Sequence, residues 1–375
     1  MGVDTTMADD SRILAGHRPL IDDPLGPHCF EAHGERLFRF ESPSHEPRAE
    51  VLLIHGLTEH PGRHFATARR LAERGYGVTL FELAGHGGSQ LPVEQSEKIY
   101  RTYALSEDAA TIRRSIAPSN GISEFFTSQY AALRSLRIRR HQEQIARVVE
   151  HVLPNLSGQP ETPLFLIGSS MGGLLTADAA LATPQMRSEG TLQLRGTVLL
   201  GPAFRPQGQP ANRIQNAVIG EAWAERRFPI APLRFVVKNA LRFNLRLDTS
   251  WGAPYMSDQA EEVELYRDDP LIFKAMPSAY ASSIESLMAQ VDGKAERYPV
   301  DCLFFFPGFD GITSLAGGLQ FAHRVREERG DRRCQIIQYE GIAAHDLTRS
   351  SVREQVLATI LEWLDERNDP PESHA

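Results

Sequence analysis

The stretch Gly168-Ser169-Ser170-Met171-Gly172 follows the apolar run Leu164 to Ile167 and opens a helical pattern from Leu174 to Ala182. That order predicts a strand, a sharp turn and a helix. Small flanking residues let the backbone take the strained turn that presents the Ser170 hydroxyl above a sheet edge. A serine hydroxyl is a weak nucleophile until a base removes its proton, so a histidine must reach it. Of the 13 histidines, His345 lies in Gly341-Ile342-Ala343-Ala344-His345-Asp346, just after the last expected strand. A loop there carries imidazole to the top of the sheet. His55, His60, His64 and His86 precede the serine, and His323 falls on a helical pattern.

A base of this kind needs a carboxylate to orient it, placed after a strand between the serine and the histidine in chain order. Asp310, in Phe306-Pro307-Gly308-Phe309-Asp310-Gly311, follows the very apolar run Cys302 to Phe306 directly. Asp346 is too close to His345 along the chain to be the expected partner, and Asp301 precedes its strand. Attack on a carboxylic ester leaves negative charge on the carbonyl oxygen, which needs donors aimed at it beforehand. The Met171 backbone N–H, at a helix start whose dipole helps, is one expected donor, and the Leu57 N–H in His55-Gly56-Leu57 is the second.

Elements must hold these groups. Val51–Ile54, Val78–Phe81, Leu164–Ile167, Thr197–Leu200, Cys302–Phe306 and Gln335–Tyr339 are short runs, each followed by a helical pattern. Continuous runs of this kind suit strands covered on both faces, so the expected architecture is α/β, a doubly wound and mostly parallel sheet. Glu35–Phe40 adds an expected antiparallel strand at its edge, and residues 1–25 read as a loose tail. Two gaps interrupt the alternation. The stretch 201–295 lacks a strong strand and is broken by many prolines, which reads as a helical cap, because a structureless loop of that length is improbable. The stretch 91–138 reads as a further helical insertion with a turn at Pro118-Ser119-Asn120-Gly121. The core is then 26–200 plus 296–375.

Composition sets outer bounds. Hydrophobic residues make up 41% and charged residues 23%, ordinary globular usage, so wholesale disorder and fibrous architecture are not expected. A formal charge of −8 argues against general nucleic-acid binding, which needs clustered Lys and Arg. Cys29, Cys302 and Cys334 cannot all pair and sit at no metal-ligand spacing, which fits a reducing compartment. Asp4, Asp9 and Asp10 replace the basic start of a secretory signal, and no run approaches the roughly 18 apolar residues of a membrane helix. A cytoplasmic enzyme without metal or other cofactor is expected.

Together, His55-Gly56-Leu57-Thr58-Glu59-His60-Pro61-Gly62-Arg63-His64, Gly85-His86-Gly87-Gly88-Ser89, the serine motif, Gly308-Phe309-Asp310 and Ala344-His345 resemble the monoacylglycerol lipase and bacterial lysophospholipase group. The wider serine aminopeptidase-like set of α/β-hydrolases shares much of this pattern. The resemblance covers about residues 50–182 and 300–365, apart from the 91–138 insertion, and Glu261–Pro277 is similar to the family's return from cap to core. It implies an α/β-hydrolase fold, Ser170, Asp310 and His345 as a catalytic triad, Leu57 and Met171 as the oxyanion hole, and a small-molecule acyl ester or lipid as substrate. Glu82 departs from the family's usual aspartate, and the insertion is longer than the family's. Both bear on the substrate. Arg134, Arg137, Arg139 and Arg140 cluster at near-helical spacing, which suits a solvated helix face better than contact with an anionic membrane surface. Acyl-serine chemistry also serves thioesterases, acyltransferases and aminopeptidases, and Glu221, Glu261, Glu262 and Glu264 are candidate partners for a substrate amine. Aromatic residues of the cap, among them Trp223, Phe228, Phe235, Phe243, Trp251, Tyr255, Tyr266 and Phe273, are expected to line an acyl tunnel.

Overall fold

The computed structural model describes residues 17–44, 46–89, 91, 93–116, 130–157, 162–186, 193–205 and 245–368. Each long apolar run forms a strand. At one edge, β1 (Arg18–Pro19), β2 (His28–Ala32) and β3 (Glu35–Phe40) are antiparallel to their neighbours. Six parallel strands follow: β4 (Glu50–Ile54), β5 (Gly77–Phe81), β6 (Pro163–Ser169), β7 (Gln193–Leu200), β10 (Asp301–Pro307) and β11 (Cys334–Tyr339). The order in the sheet is β1-β2-β3-β5-β4-β6-β7-β10-β11. β5 lies on one side of β4 and β6 on the other, so the direction of winding reverses there. A crevice opens beyond the carboxyl ends of β4 and β6, the usual place for a ligand in such a sheet. A separate antiparallel ribbon joins β8 (Arg246–Asp248) to β9 (Ala275–Pro277).

Alternate residues of the central strands enter different cores. Leu52, Ile54, Leu166, Phe304 and Phe306 belong to one hydrophobic cluster, and Val51, Leu53, Phe165, Ile167 and Phe305 to the other. Period-two alternation within an uninterrupted apolar run is the mark of a strand buried on both faces. Burying each of these side chains contributes about 2 kcal/mol. Helices α1 (Phe65–Glu73), α2 (Val93–Leu105) and α3 (Ala109–Ile116) cover the second face; the latter two fall within 91–138, whose Pro118–Gly121 turn lies outside the described residues. Helix α4 (Ile138–Arg147) runs on through a π-helical turn to Ser157 and covers the first face with α5 (Met171–Met186). Next come α6 (Ala260–Asp268), α7 (Ser278–Asp292), α8 (Leu315–Arg329) and α9 (Arg353–Asn368), the last of which packs Ile360 and Trp363 into the second cluster.

Two boundaries differ from expectation. Residues 17–25 are packed rather than loose, because β1 pairs with β2 and Leu20 and Ile21 bury apolar surface in the second cluster. Residues 278–292, expected within the cap 201–295, form α7, which packs Tyr280, Ile284, Leu287 and Val291 into the first core cluster.

Candidate functional site

Ser170 sits between β6 and α5 with φ 54°, in the left-handed region that a residue with a side chain rarely occupies. Such backbone costs about 1–3 kcal/mol, so the surroundings must hold it. The Ser170 amide donates to the Leu200 carbonyl at 2.9 Å, and the Ser170 carbonyl accepts from Leu174 and Ala203 at 3.2 and 3.0 Å. The flanking glycines are needed for close approach. A Cβ on Gly168 would stand 2.2 Å from the Gly172 carbonyl oxygen, and one on Gly172 would stand 2.1 Å from the Ile54 oxygen.

Asp310 and His345 come from the loops after β10 and β11, 35 positions apart, and meet through a 2.8 Å hydrogen bond between Oδ2 and Nδ1. Three groups hold the carboxylate: the Ile312 and Thr313 amides donate to Oδ1 at 2.8 and 2.9 Å, and the Thr313 hydroxyl donates to Oδ2 at 2.8 Å. With Nδ1 donating to Asp310, Nε2 is the free face of the imidazole. It is buried without a hydrogen-bond partner among the described residues. Both His345 and Ser170 line one cavity. Burial alone would lower the His345 pKa, but the charge and hydrogen bond of Asp310, then Glu59 and Asp346, outweigh it and leave it above the ordinary histidine value. Burial would likewise raise Asp310, yet His345 and the Thr313 and Ile312 amides hold its carboxyl below the usual range.

The loop after β4 borders the same cavity with Leu57, Thr58 and Glu59, and the start of α5 borders it with Met171. Neither the Leu57 nor the Met171 amide has an acceptor among the described residues. Thr58 holds φ 70°, a strained value for a β-branched residue. Its hydroxyl is tied to the Tyr266 hydroxyl. Glu59 accepts from the Gly56 amide at 2.9 Å and from Arg63 Nε at 3.2 Å. Burial pushes the Glu59 pKa up, but His64, Arg63 and the Gly56 amide hold it well below the ordinary glutamate value. The departure at Glu82 has a local role: Glu82 accepts from the Gly88 amide at 2.7 Å and from Tyr100, which braces the Gly85–Ser89 turn.

The cavity measures about 150 Å³. Of the aromatic residues expected to line it, Trp251 and Tyr266 do. Phe273 instead packs edge-on against His86 in the core, Tyr255 faces Phe309, and Trp223, Phe228, Phe235 and Phe243 lie outside the described residues. Apolar surface comes from Met256, Met276, Ala281, Ile284 and Met288. The expected acidic groups are engaged elsewhere: Glu262 pairs with Arg349 and Glu264 with Arg113, while Glu221 lies outside the described residues. Glu261, on the first turn of α6, is not among the residues that line the cavity. Glu285 does face it, has no ion-pair or hydrogen-bond partner among the described residues, and is raised in pKa by burial. In the basic cluster, Arg140 pairs with the buried Glu35, while Arg139 pairs with Glu143 on an exposed face. Sequence reasoning gave no role to Thr313, Glu59 and Glu285, and named Tyr266 only as a cavity aromatic, not as the partner of Thr58. Only Thr313 had a local signal, a hydroxyl residue three positions after an aspartate in a turn.

Among the described residues no group of three or more His, Cys, Asp or Glu could hold a metal, and no helix is long and apolar enough to cross a membrane. The sequence profile described as "Serine aminopeptidase, S33" matches residues 45–128 and 131–349. The chain is 24% identical to the monoglyceride lipase of Mus musculus over 345 residues, 91% of this chain and 90% of that one. The Homo sapiens monoglyceride lipase is 23% identical over the same shares. Among solved structures, the monoacylglycerol lipase of Paleococcus ferrophilus superposes with a TM-score of 0.58 at 21% identity, over 89% of this chain and 99% of that one. A soluble variant of the Saccharomyces cerevisiae monoglyceride lipase, in complex with a substrate analog, gives 0.57 at 14% identity, over 91% and 94%. These structures share the α/β-hydrolase fold with this chain.

Proposed function

Because the chain belongs to the serine aminopeptidase S33 family of hydrolases, we propose that it cleaves carboxylic esters through an acyl-serine intermediate. The substrate class is a single-chain acyl ester such as a monoacylglycerol or lysophospholipid. The observation that carries this reading is the cavity that collects the elbow serine Ser170, the Asp310-bound His345 and apolar surface from Met276, Ile284 and Met288. The curated relatives named as monoglyceride lipases support the same class.

In the proposed mechanism Ser170 Oγ attacks the ester carbonyl carbon while His345 Nε2 takes its proton. Asp310 holds the ring in the tautomer with Nδ1–H and stabilises the imidazolium. The Leu57 and Met171 amides, free of other acceptors among the described residues, meet the oxyanion. Collapse breaks the bond to the alcohol, which leaves with the proton from His345. Water then repeats the sequence on the acyl-serine and releases the acid.

A fluorophosphonate probe tests the activated serine and a substrate panel tests the class. We expect labelling of the wild-type protein, none of Ser170→Ala, and turnover of acyl glycerols or lysophospholipids. A folded protein that takes no label is a silent binding relative and overturns the reading. An aminopeptidase is the second reading, favoured by Glu285, a cavity-facing carboxylate with no partner among the described residues and suited to a substrate amine. Aminoacyl amides turned over in preference to the esters, with the preference lost in Glu285→Gln, would favour it.

A further inference from the structure

Behind the cavity lies a buried chain of charges that the proposed mechanism does not use. Arg63, 1% exposed, is its hub. Its Nε donates to Glu59 at 3.2 Å and its Nη2 to Asp346 Oδ2 at 3.2 Å, and its guanidinium stands 5.2 Å from the centre of the Tyr266 ring. Arg349 donates to the Arg63 carbonyl from Nε at 3.0 Å and from Nη2 at 2.7 Å, and pairs with Glu262 at 3.0 Å. Each partner of the hub holds a separate part of the site. Glu59 grips the Gly56 amide and Tyr266 grips Thr58, so the two flank Leu57, one of the two proposed oxyanion donors. Asp346 directly follows His345, and its Oδ1 accepts from the Thr348 amide and hydroxyl at 3.1 and 2.6 Å.

We propose that Asp346 is a positioning residue that acts through Arg63 to lock the general-base loop to the oxyanion loop. The inference rests on the ester-hydrolase reading. It goes beyond that reading by assigning work to a carboxylate that touches neither substrate nor His345 Nδ1. Buried charges make the lock stiff. An arginine between two carboxylates loses most of its allowed positions once both pairs form, because leaving either charge buried and unpaired is costly. The two loops are 283 positions apart in the chain at the Arg63–Asp346 bond, and the Arg349 bonds to the Arg63 carbonyl reinforce the same junction. Reaction geometry tolerates little slack, since a displacement of about 1 Å reduces rate by about 100-fold.

The test is a double-mutant cycle of Asp346→Asn and Tyr266→Phe, the latter removing only the hydroxyl that holds Thr58. Steady-state kinetics on p-nitrophenyl butyrate and thermal melting are read for the full-length wild type, both singles and the double. Asp346→Asn is expected to lower kcat by about 10- to 100-fold with little change in KM. The double mutant is expected to lose less than the product of the two singles, because both changes slacken one lock. Wild-type kcat in Asp346→Asn, multiplicative losses, or a loss that only tracks the folded fraction at the assay temperature would each overturn the proposal. An inactive wild type would instead strike at the ester-hydrolase reading.

Discussion

His345 carries the pH dependence in the proposed mechanism, and its surroundings alter what an isolated histidine predicts. The sequence suggests a rate rising through about 6.5, the ordinary histidine value. In the folded protein the Asp310 carboxylate outweighs burial and raises the pKa, so the neutral form that accepts the Ser170 proton becomes dominant only above that value. The rising limb of kcat/KM is therefore expected above pH 6.5. Asp310→Asn removes the charge that raises it and should shift the limb down, while lowering kcat by as much as about 10⁴-fold through loss of the tautomer. A limb at or below 6.5 in the wild type, or one unmoved in the mutant, would contradict the role given to Asp310. Its neighbour Thr313 was within reach of sequence reasoning, whereas Glu59 and Tyr266 owe their importance to partners that packing alone supplies.

At the scale of elements, α7 connects core and cavity. Tyr280, Leu287 and Val291 enter the core, whereas Ala281 and Glu285 face the cavity and Ile284 and Met288 do both, a division that follows helical spacing. The surface proposed to bind the acyl chain is thus built partly on a helix fixed to the sheet, which gives the cavity a defined wall. Each methylene buried there contributes about 0.8 kcal/mol, or about fourfold in kcat/KM, until the space is filled. Kinetics on p-nitrophenyl esters from acetyl to palmitoyl, below their aggregation limits, should rise stepwise to an optimum. Ile284→Trp should move that optimum to shorter chains. A steady fall from acetyl onward would exclude an acyl site and favour a small or polar substrate.

For the molecule as a whole, histidines that the fold keeps neutral reduce stability in acid, beside the carboxylates held below their usual range such as Glu59 and Asp310. The His55 ring accepts from the Leu83 amide at 3.2 Å through Nε2 and bonds the Gly56 carbonyl at 2.9 Å through Nδ1, which fixes a neutral tautomer. His86 packs between His55 and His141, at 5.4 and 5.3 Å. Burial lowers all three pKa values, to about 3 for His55, to about 4 for His141 and well below the ordinary value for His86. The unfolded chain therefore binds more protons than the folded one below about pH 6.5, and stability falls as pH falls from there toward 4. Each histidine contributes up to about 1.4 kcal/mol per pH unit in that window, while Glu82, raised by burial, acts in the opposite sense. Melting curves between pH 7 and 4.5 should show a steady decline in Tm. A Tm unchanged over that range would rule the account out.

What the sequence determined by itself was what local order can encode. The apolar runs defined the parallel strands, the G-x-S-x-G turn and its flanking patterns located the elbow, and chain order singled out Asp310 and His345, which the fold joins at 2.8 Å. Each of those signals lies within a few residues of the feature it marks. The tertiary structure alone decided that residues 17–25 pack on the sheet, that α7 belongs to the core, which aromatic side chains reach the cavity, and that Arg63 meets Asp346 across 283 positions. No periodicity carries these facts, because a buried ion pair or a cavity wall is defined by surfaces that become neighbours only when the sheet and its helices close around them.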